Sequence, residues 1–132
     1  MRMIYAAAFA ILAGCAAPPP TQRELAAANY GPPPRNYKAS IMTYMASILK
    51  DPESARYGFS GEPIRGYMGT SRKFGWIACA TINAKNSFGG YVGARQYIFL
   101  IQNNVVVDYD NTDGKSYSYD KEINDRCARL GR

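Results

Sequence analysis

Two proline triplets, at residues 18–20 and 32–34, set the strongest limit on how this chain can fold. Successive prolines favour the extended polyproline II conformation and lack backbone donors, so a segment that carries them makes a poor core. We therefore expect residues 15–35 to form a tether and residues 36–132 to form one globular domain. About twenty tether residues have a reach of roughly 25 Å as a flexible coil and up to about 60 Å when extended.

Residues 1–14 have the pattern of a signal peptide. Arg2 supplies a positive charge, an apolar run follows, and small residues stand directly before Cys15. The apolar run is about eleven residues long, whereas a membrane-spanning helix needs roughly 20. We expect residues 1–14 to be removed on export.

The sequence Leu12-Ala13-Gly14-Cys15 resembles the lipobox of bacterial lipoproteins. The resemblance implies that the Cys15 thiol receives a diacylglyceryl group, that cleavage falls before Cys15, and that the new amine carries a further acyl chain such as palmitate. Ala16 stands where many inner-membrane lipoproteins carry aspartate, so the resemblance favours the periplasmic face of the outer membrane. The alternative is an ordinary signal peptide followed by an incidental cysteine.

The domain begins with a helical pattern and continues with strands. Apolar residues at spacings of three and four between positions 41 and 49 predict an amphipathic helix from Asn36 to about Lys50. Strands are predicted at Phe74–Asn83, at Gln96–Gln102 and at 105–107, with 56–59 as a short further strand. The pair Asn103-Asn104 separates two apolar runs and predicts a tight hairpin.

The last segment predicts a second helix. Ser118 is the expected N-cap, acidic residues fill the first turn, and arginines fill the last turn before Gly131. Ile123, Cys127 and Leu130 share one face, which should pack on the sheet. The predicted fold class is α+β, with a small antiparallel sheet of three or four strands packed by an N-terminal and a C-terminal helix on one face.

Three cysteines leave an even pair once Cys15 is assigned to lipid. In an oxidising compartment we expect Cys79 and Cys127 to form a disulfide that joins the helix to the sheet. Two buried free thiols are the alternative.

The chain contains no histidine, which excludes Ser-His-Asp and Cys-His catalysis and removes the commonest zinc ligand. We therefore predict no catalytic site, no metal and no cofactor. An enzyme hypothesis would require a carboxylate pair, for which Asp108 with Asp110 is a candidate. The formal charge of +6 favours anionic lipid or acidic protein. Export argues against nucleic acid as a partner.

The connection between the two long predicted strands is the most distinctive part of the domain. Aromatic, lysine, asparagine and glycine residues together suit an adaptable binding loop. Its candidate binding residues are Lys85, Asn86, Phe88, Gly89, Gly90 and Tyr91. The same residue types also suit a plain hairpin connection in which Phe88 or Tyr91 folds back over the sheet edge.

This loop, with the sequence N-A-K-N-S-F-G-G-Y at 83–91, follows a D-P-x-S-A element at 51–55. Together the two elements resemble those of small uncharacterised bacterial envelope proteins. The resemblance implies a shared fold and brings no activity with it.

These observations predict a non-catalytic outer-membrane lipoprotein, held by lipid on Cys15, whose periplasmic domain binds a protein partner in an envelope assembly. The alternative is a module that binds peptidoglycan or another glycan by stacking sugars on Trp76, Phe88 or Tyr91.

Overall fold

The structure is a computed structural model that describes residues 17–69, 72–114 and 116–131. Four strands pair in chain order as one antiparallel meander, with helices before and after them. The elements are α1 (Gln22–Ala27), α2 (Tyr37–Ala46), β1 (Asp51–Met68), β2 (Lys73–Lys85), β3 (Arg95–Gln102), β4 (Val105–Asn111) and α3 (Tyr117–Ala128). The predicted α+β class is confirmed. Within the described ranges, the helices are all too short or too polar to span a bilayer.

The sheet buries both of its faces. Alternate residues of β2 and β3, including Ala80 and Phe99, pack in one cluster with α2. The residues between them, including Cys79 and Leu100, pack in a second cluster with α3. The prediction that both helices share one face is therefore wrong, because the central strands are apolar at successive positions and each face needs its own cover.

Side-chain caps fix where the two longer helices begin. The Asn36 side chain accepts a hydrogen bond from the backbone N–H of Ala39, which starts α2 where the sequence predicted. The helix ends at Ala46, before the predicted limit at Lys50. In α3 the N-cap is Ser116, whose hydroxyl accepts from the N–H of Tyr119, so the prediction of Ser118 is wrong by two residues.

A disulfide joins Cys79 of β2 to Cys127 of α3, as predicted, with the two Cα atoms 5.7 Å apart. Ile123 and Leu130 flank it in the same buried cluster. The end of α3 also presses on β1 at Gly61, whose φ is +61° and where an added Cβ would lie 1.8 Å from the carbonyl oxygen of Leu130. Glycine is needed there for both its conformation and its size.

The hairpin predicted at Asn103-Asn104 is confirmed, since both residues have positive φ. The first strand differs most from its prediction, because β1 runs for 18 residues instead of four. It is long but irregular, with register shifts between Asp51 and Arg56 and between Ser60 and Ile64. Such bulges, with Pro52 and Pro63, suit an edge strand.

Residues 17–35 lie against the domain, and we call them the N-terminal strap. The helix α1 starts with a capping box between Thr21 and Glu24, and Glu24 forms an ion pair of 2.9 Å with Arg72. Further along, Tyr30 packs edge-on against Phe74. Because the strap is bound along its length, the reach calculated for a free coil does not apply to it. The predicted signal peptide and Cys15 lie outside the described residues.

Candidate functional site

The sheet has two ends of different character. The turn after Met68 and the Asn103-Asn104 turn lie at one end, which we call the Arg72 end. The loop 86–94 lies at the other, which we call the Phe88 end. The strand β2 joins the two ends, and its 13 residues span roughly 40 Å.

At the Phe88 end, the side chain of Asn86 builds a tight turn. Its Oδ1 atom accepts hydrogen bonds from the backbone N–H of Phe88 at 2.9 Å and of Gly90 at 3.2 Å. The backbone closes the turn, since Asn86 N–H donates to the Gly90 carbonyl at 2.8 Å. Gly89, with a φ of +79°, supplies the left-handed residue.

The turn holds Phe88 away from the rest of the protein. Its side chain is 96% exposed, the highest value among the large hydrophobic residues described. Val92, in the same loop, is 51% exposed. Because Asn86 braces the backbone from within, the phenyl ring is presented by an ordered turn. Such a ring loses little conformational freedom when it enters a pocket on a partner.

Unlike Phe88, Tyr91 folds back against β1. Its hydroxyl donates to the carbonyl of Ser54 at 3.2 Å, and its backbone forms an isolated bridge with Lys85. The guanidinium of Arg56 lies 4.5 Å from the ring centroid, and the ammonium of Lys85 lies 5.5 Å from it. Of the two aromatics considered for covering the sheet edge, only Tyr91 does so.

Ser54 connects the D-P-x-S-A element of β1 to the base of the Phe88 loop. Its hydroxyl donates to the Asp51 carbonyl and accepts from the N–H of Lys85 at 2.9 Å. The side chain of Asp51 accepts from the N–H of Ser54 in turn. The D-P-x-S-A element therefore supports the base of the Phe88 loop. Nothing in the sequence pattern indicated this contact, because it depends on a register shift in β1.

Some of the six candidate binding residues thus support the loop, and others are placed to contact a partner. Asn86, Gly89 and Gly90 shape the turn, and Tyr91 fixes it to β1. Phe88 is the open apolar group, and Lys85 with Arg56 supplies positive charge at the base. This arrangement suits binding, with an apolar tip and a cationic rim.

The other sequence candidates are differently placed. Trp76 is half-buried, with its indole N–H donating to the Gly31 carbonyl of the strap at 3.1 Å. The guanidinium of Arg65 lies 5.7 Å from its ring centroid, and the ring packs against the core cluster under α2. Asp108 is engaged by Lys73 at 3.2 Å, whereas Asp110 lines a cavity next to α3. The carboxylate pair therefore has two separate environments.

That cavity, of about 500 Å³, lies between the start of the strap, the end of β1 and α3. Its lining mixes apolar residues with charges of both signs, including Arg72, Arg126 and Glu122. Arg126 already donates to the Tyr67 carbonyl. Among the residues that the structure describes, no group of three acidic or cysteine side chains is placed to hold a metal ion.

Under α2, tyrosines and phenylalanines of three strands form stacked pairs. Tyr97 stacks on Phe99 and on Tyr109, and Tyr57 stacks on Phe59. Burial raises the pKa of the Tyr97 and Tyr57 hydroxyls above the usual value of a tyrosine. We interpret this row as core.

Fold and site together define a disulfide-stapled α+β domain with a helix on each sheet face and one braced aromatic loop. The chain matches no protein-family model, no curated protein and no solved structure.

Proposed function

We propose that this chain is a non-catalytic lipoprotein of the outer membrane, anchored through Cys15, whose periplasmic domain binds an envelope protein through the Phe88 loop. The single observation that carries the proposal is that Phe88 is 96% exposed while Asn86 holds the backbone of its turn in place. Burial of a phenyl ring stabilises by about 2 kcal/mol, and a ring that an ordered turn holds in water gains this free energy when it enters a pocket on a partner. Buried aromatic anchors of this kind dominate protein interfaces.

The relative position of anchor and loop supports the same function. Ala17 lines the cavity at the Arg72 end, so the chain leaves the domain toward Cys15 there. The Phe88 loop lies at the other end of β2, roughly 40 Å away. A domain anchored at its Arg72 end holds Phe88 away from the bilayer, where periplasmic proteins and peptidoglycan are reached.

Site-specific photocrosslinking in cells tests the partner. A photoreactive phenylalanine analogue at position 88 should give a discrete protein adduct. The same analogue at Val105, which is 60% exposed at the opposite end of the sheet, is the matched control and should give none. Equal adducts at both positions, or none at position 88, would contradict the proposal.

The same adduct separates the protein partner from the glycan alternative. Digestion with a muramidase should leave the mass of a protein adduct unchanged, whereas a peptidoglycan adduct collapses to small fragments. Once the partner is identified, Phe88→Ala should weaken binding about 30-fold, the effect of losing an interface anchor. Tyr117→Ala removes an aromatic that is 85% exposed on α3 and should leave binding unchanged.

The intact mass of the protein extracted from membranes tests the anchor. We expect a chain that begins at Cys15, carries acyl mass, and takes up two alkyl groups only after reduction. A mass that retains residues 1–14, or lacks acyl groups, would refute the lipoprotein proposal.

A further inference from the structure

The Arg72 end of the domain carries a concentration of positive charge. Five cationic residues lie on or next to its turns and on the strap, and two carboxylates pair with two of them. The cavity beside Arg72 adds Arg126 together with Asp110 and Glu122. The five cations are Arg23, Arg35, Arg65, Arg72 and Lys73, and the paired carboxylates are Glu24 and Asp108. We call this surface the basic face.

Direct contacts place these residues at one end. Arg72 holds Glu24, and so lies beside Arg23 in α1. The backbone N–H of Arg35 donates to the side chain of Asn104 in the second turn. Lys73 is the first residue of β2, and Arg65 pairs with Trp76 only three residues beyond it. The strap therefore carries two of the cations to the end where β1, β2 and the turn between them supply three.

Among the described residues, three of these cations have no carboxylate partner: Arg65, which lies over the rings of Tyr30 and Trp76, and the two on the strap. Both Arg23 and Arg35 are exposed, and within the part of the chain that the structure describes neither side chain forms an ion pair. The opposite end is more evenly balanced. Its cations are Lys50, Arg56, Lys85 and Arg95, and its carboxylates are Asp51, Glu53 and Asp113.

The strap also fixes the distance between this face and the anchor. It is bound to the domain from Pro18, whose carbonyl accepts a hydrogen bond from Arg72. Two peptide units separate Ala17 from Cys15, a reach of at most about 8 Å. An acylated Cys15 therefore brings the basic face to the level of the lipid headgroups.

We propose that the basic face docks on a membrane surface that carries anionic phospholipids, and that this contact holds the domain upright with Phe88 directed away from the bilayer. The proposal rests on the proposed Cys15 anchor. Cations next to an anionic bilayer are attracted to the phosphate oxygens within a Debye length, which is about 8 Å at physiological salt. The bound strap keeps Arg23 and Arg35 at the same end of the domain as Arg65, Arg72 and Lys73, so that the five cations can act on one membrane surface together.

Tryptophan quenching in vesicles tests the orientation, because the chain has a single tryptophan and a second can be added as a reporter. Trp76 is kept because its indole holds the strap, and its own signal is subtracted; Gln22→Trp adds a reporter in α1 beside Arg23, and Phe88→Trp adds one at the far end. Each full-length lipoprotein is reconstituted into vesicles that contain phosphatidylglycerol and a headgroup-labelled nitroxide lipid. We expect strong quenching of the Gln22→Trp reporter and none of the Phe88→Trp reporter.

The role of charge is tested with two matched double variants. Arg23→Gln with Arg35→Gln should lower the ratio of docked to undocked domain about 30-fold on anionic vesicles, as loss of two membrane-adjacent cations predicts. Lys50→Gln with Arg95→Gln removes the same charge from the other end and should have no effect. Vesicles of neutral phosphatidylcholine should give weak quenching of the Gln22→Trp reporter.

Failure of docking and failure of the anchor give different results. If the protein does not float with neutral vesicles, the anchor is absent and both proposals fail. If it floats but both reporters are quenched alike, or the two double variants behave alike, the docking proposal is overturned while the anchor stands.

Discussion

At the scale of single residues, Gly61 is the position where, among the described glycines, an added Cβ would make the shortest contact. Its φ is +61°, and an added Cβ would lie 1.8 Å from the backbone oxygen of Leu130 and 2.5 Å from its carbonyl carbon. Neither atom can rotate away, because both belong to the chain that leaves α3. The end of α3 can approach β1 because Gly61 has no side chain.

Gly61→Ala should therefore lower the free energy of unfolding by about 3 kcal/mol or more, since positive φ strain and a backbone clash add together. Urea denaturation measures the change. Gly114→Ala is the matched control, because Gly114 has a φ of +78° with nothing within 4 Å of the added Cβ. It should lose only about 1 kcal/mol from backbone strain. Equal losses would show that the contact with Leu130 is unimportant.

The buried tyrosines predict how stability changes in alkali. Burial raises the pKa of Tyr97 in the folded chain above its unfolded value, which is about 10. The stabilisation is thus fully present below pH 10 and is lost as the pH rises toward the folded pKa, because the unfolded chain releases its proton first. We expect the midpoint of urea unfolding to fall above pH 10, and to fall less steeply in Tyr97→Phe. An identical pH dependence of the two proteins would contradict this assignment.

At the scale of elements, the strap is held by a few polar and aromatic contacts. Arg72 is the central one, because it contacts both Glu24 and the Pro18 carbonyl. The hydrogen bonds that Glu24 accepts from Thr21, with the charge of Arg72, lower the pKa of that carboxyl. It therefore stays ionised and paired in mildly acidic solution.

Arg72→Ala should make the strap open more often, and trypsin should cut after Arg23 about tenfold faster, which corresponds to about 1.4 kcal/mol of lost contact. Mass spectrometry of the released fragment follows this cut alone. Lys121→Ala is the control, since it removes a cation that pairs with Asp125 on the surface of α3. An unchanged rate of cleavage in Arg72→Ala would mean that the ion pair does not hold the strap.

Elements with a strong local signal were predictable, and those fixed by distant contacts were not. The hairpin at Asn103-Asn104 follows from two residues that tolerate positive φ. The length of β1 does not follow from its own residues, because its glycines and prolines are typical of loops. The strand forms through its pairing with β2. The strap likewise depends on Phe74 and Trp76, which are more than forty residues away.

The sequence did contain a signal that the sheet is covered on both faces, although a search for alternating apolar residues does not detect it. Four successive residues, Ile98 to Ile101, are apolar, and all are buried. A strand with one wet face alternates, so an unbroken run indicates cover on both sides. For the candidate site, composition predicted the loop, but the bracing by Asn86 and the contact with Ser54 required the register of β1.

At the scale of the whole molecule, the disulfide compensates for the small number of side chains that α3 and its last turn bury against the sheet. The helix and its last turn bury three side chains, Ile123, Cys127 and Leu130, against the sheet. At about 2 kcal/mol each, their burial offsets the entropy of ordering only a few of the twelve helical residues. The covalent bond from Cys127 to Cys79 reduces the entropy that folding has to overcome, because it already closes the chain in the unfolded state.

Reduction of this bond should therefore lower the free energy of unfolding by about 4 kcal/mol, the loop entropy for a separation of 48 residues. Urea denaturation with and without reductant measures the loss, and hydrogen exchange locates it. Amides of α3 and of β1 near Gly61 should lose protection first, because Leu130 no longer stays against β1. Cys79→Ala with Cys127→Ala should match the reduced protein apart from a small packing loss. If reduction instead shifts stability by less than about 1 kcal/mol, side-chain packing alone would be holding α3 on the sheet.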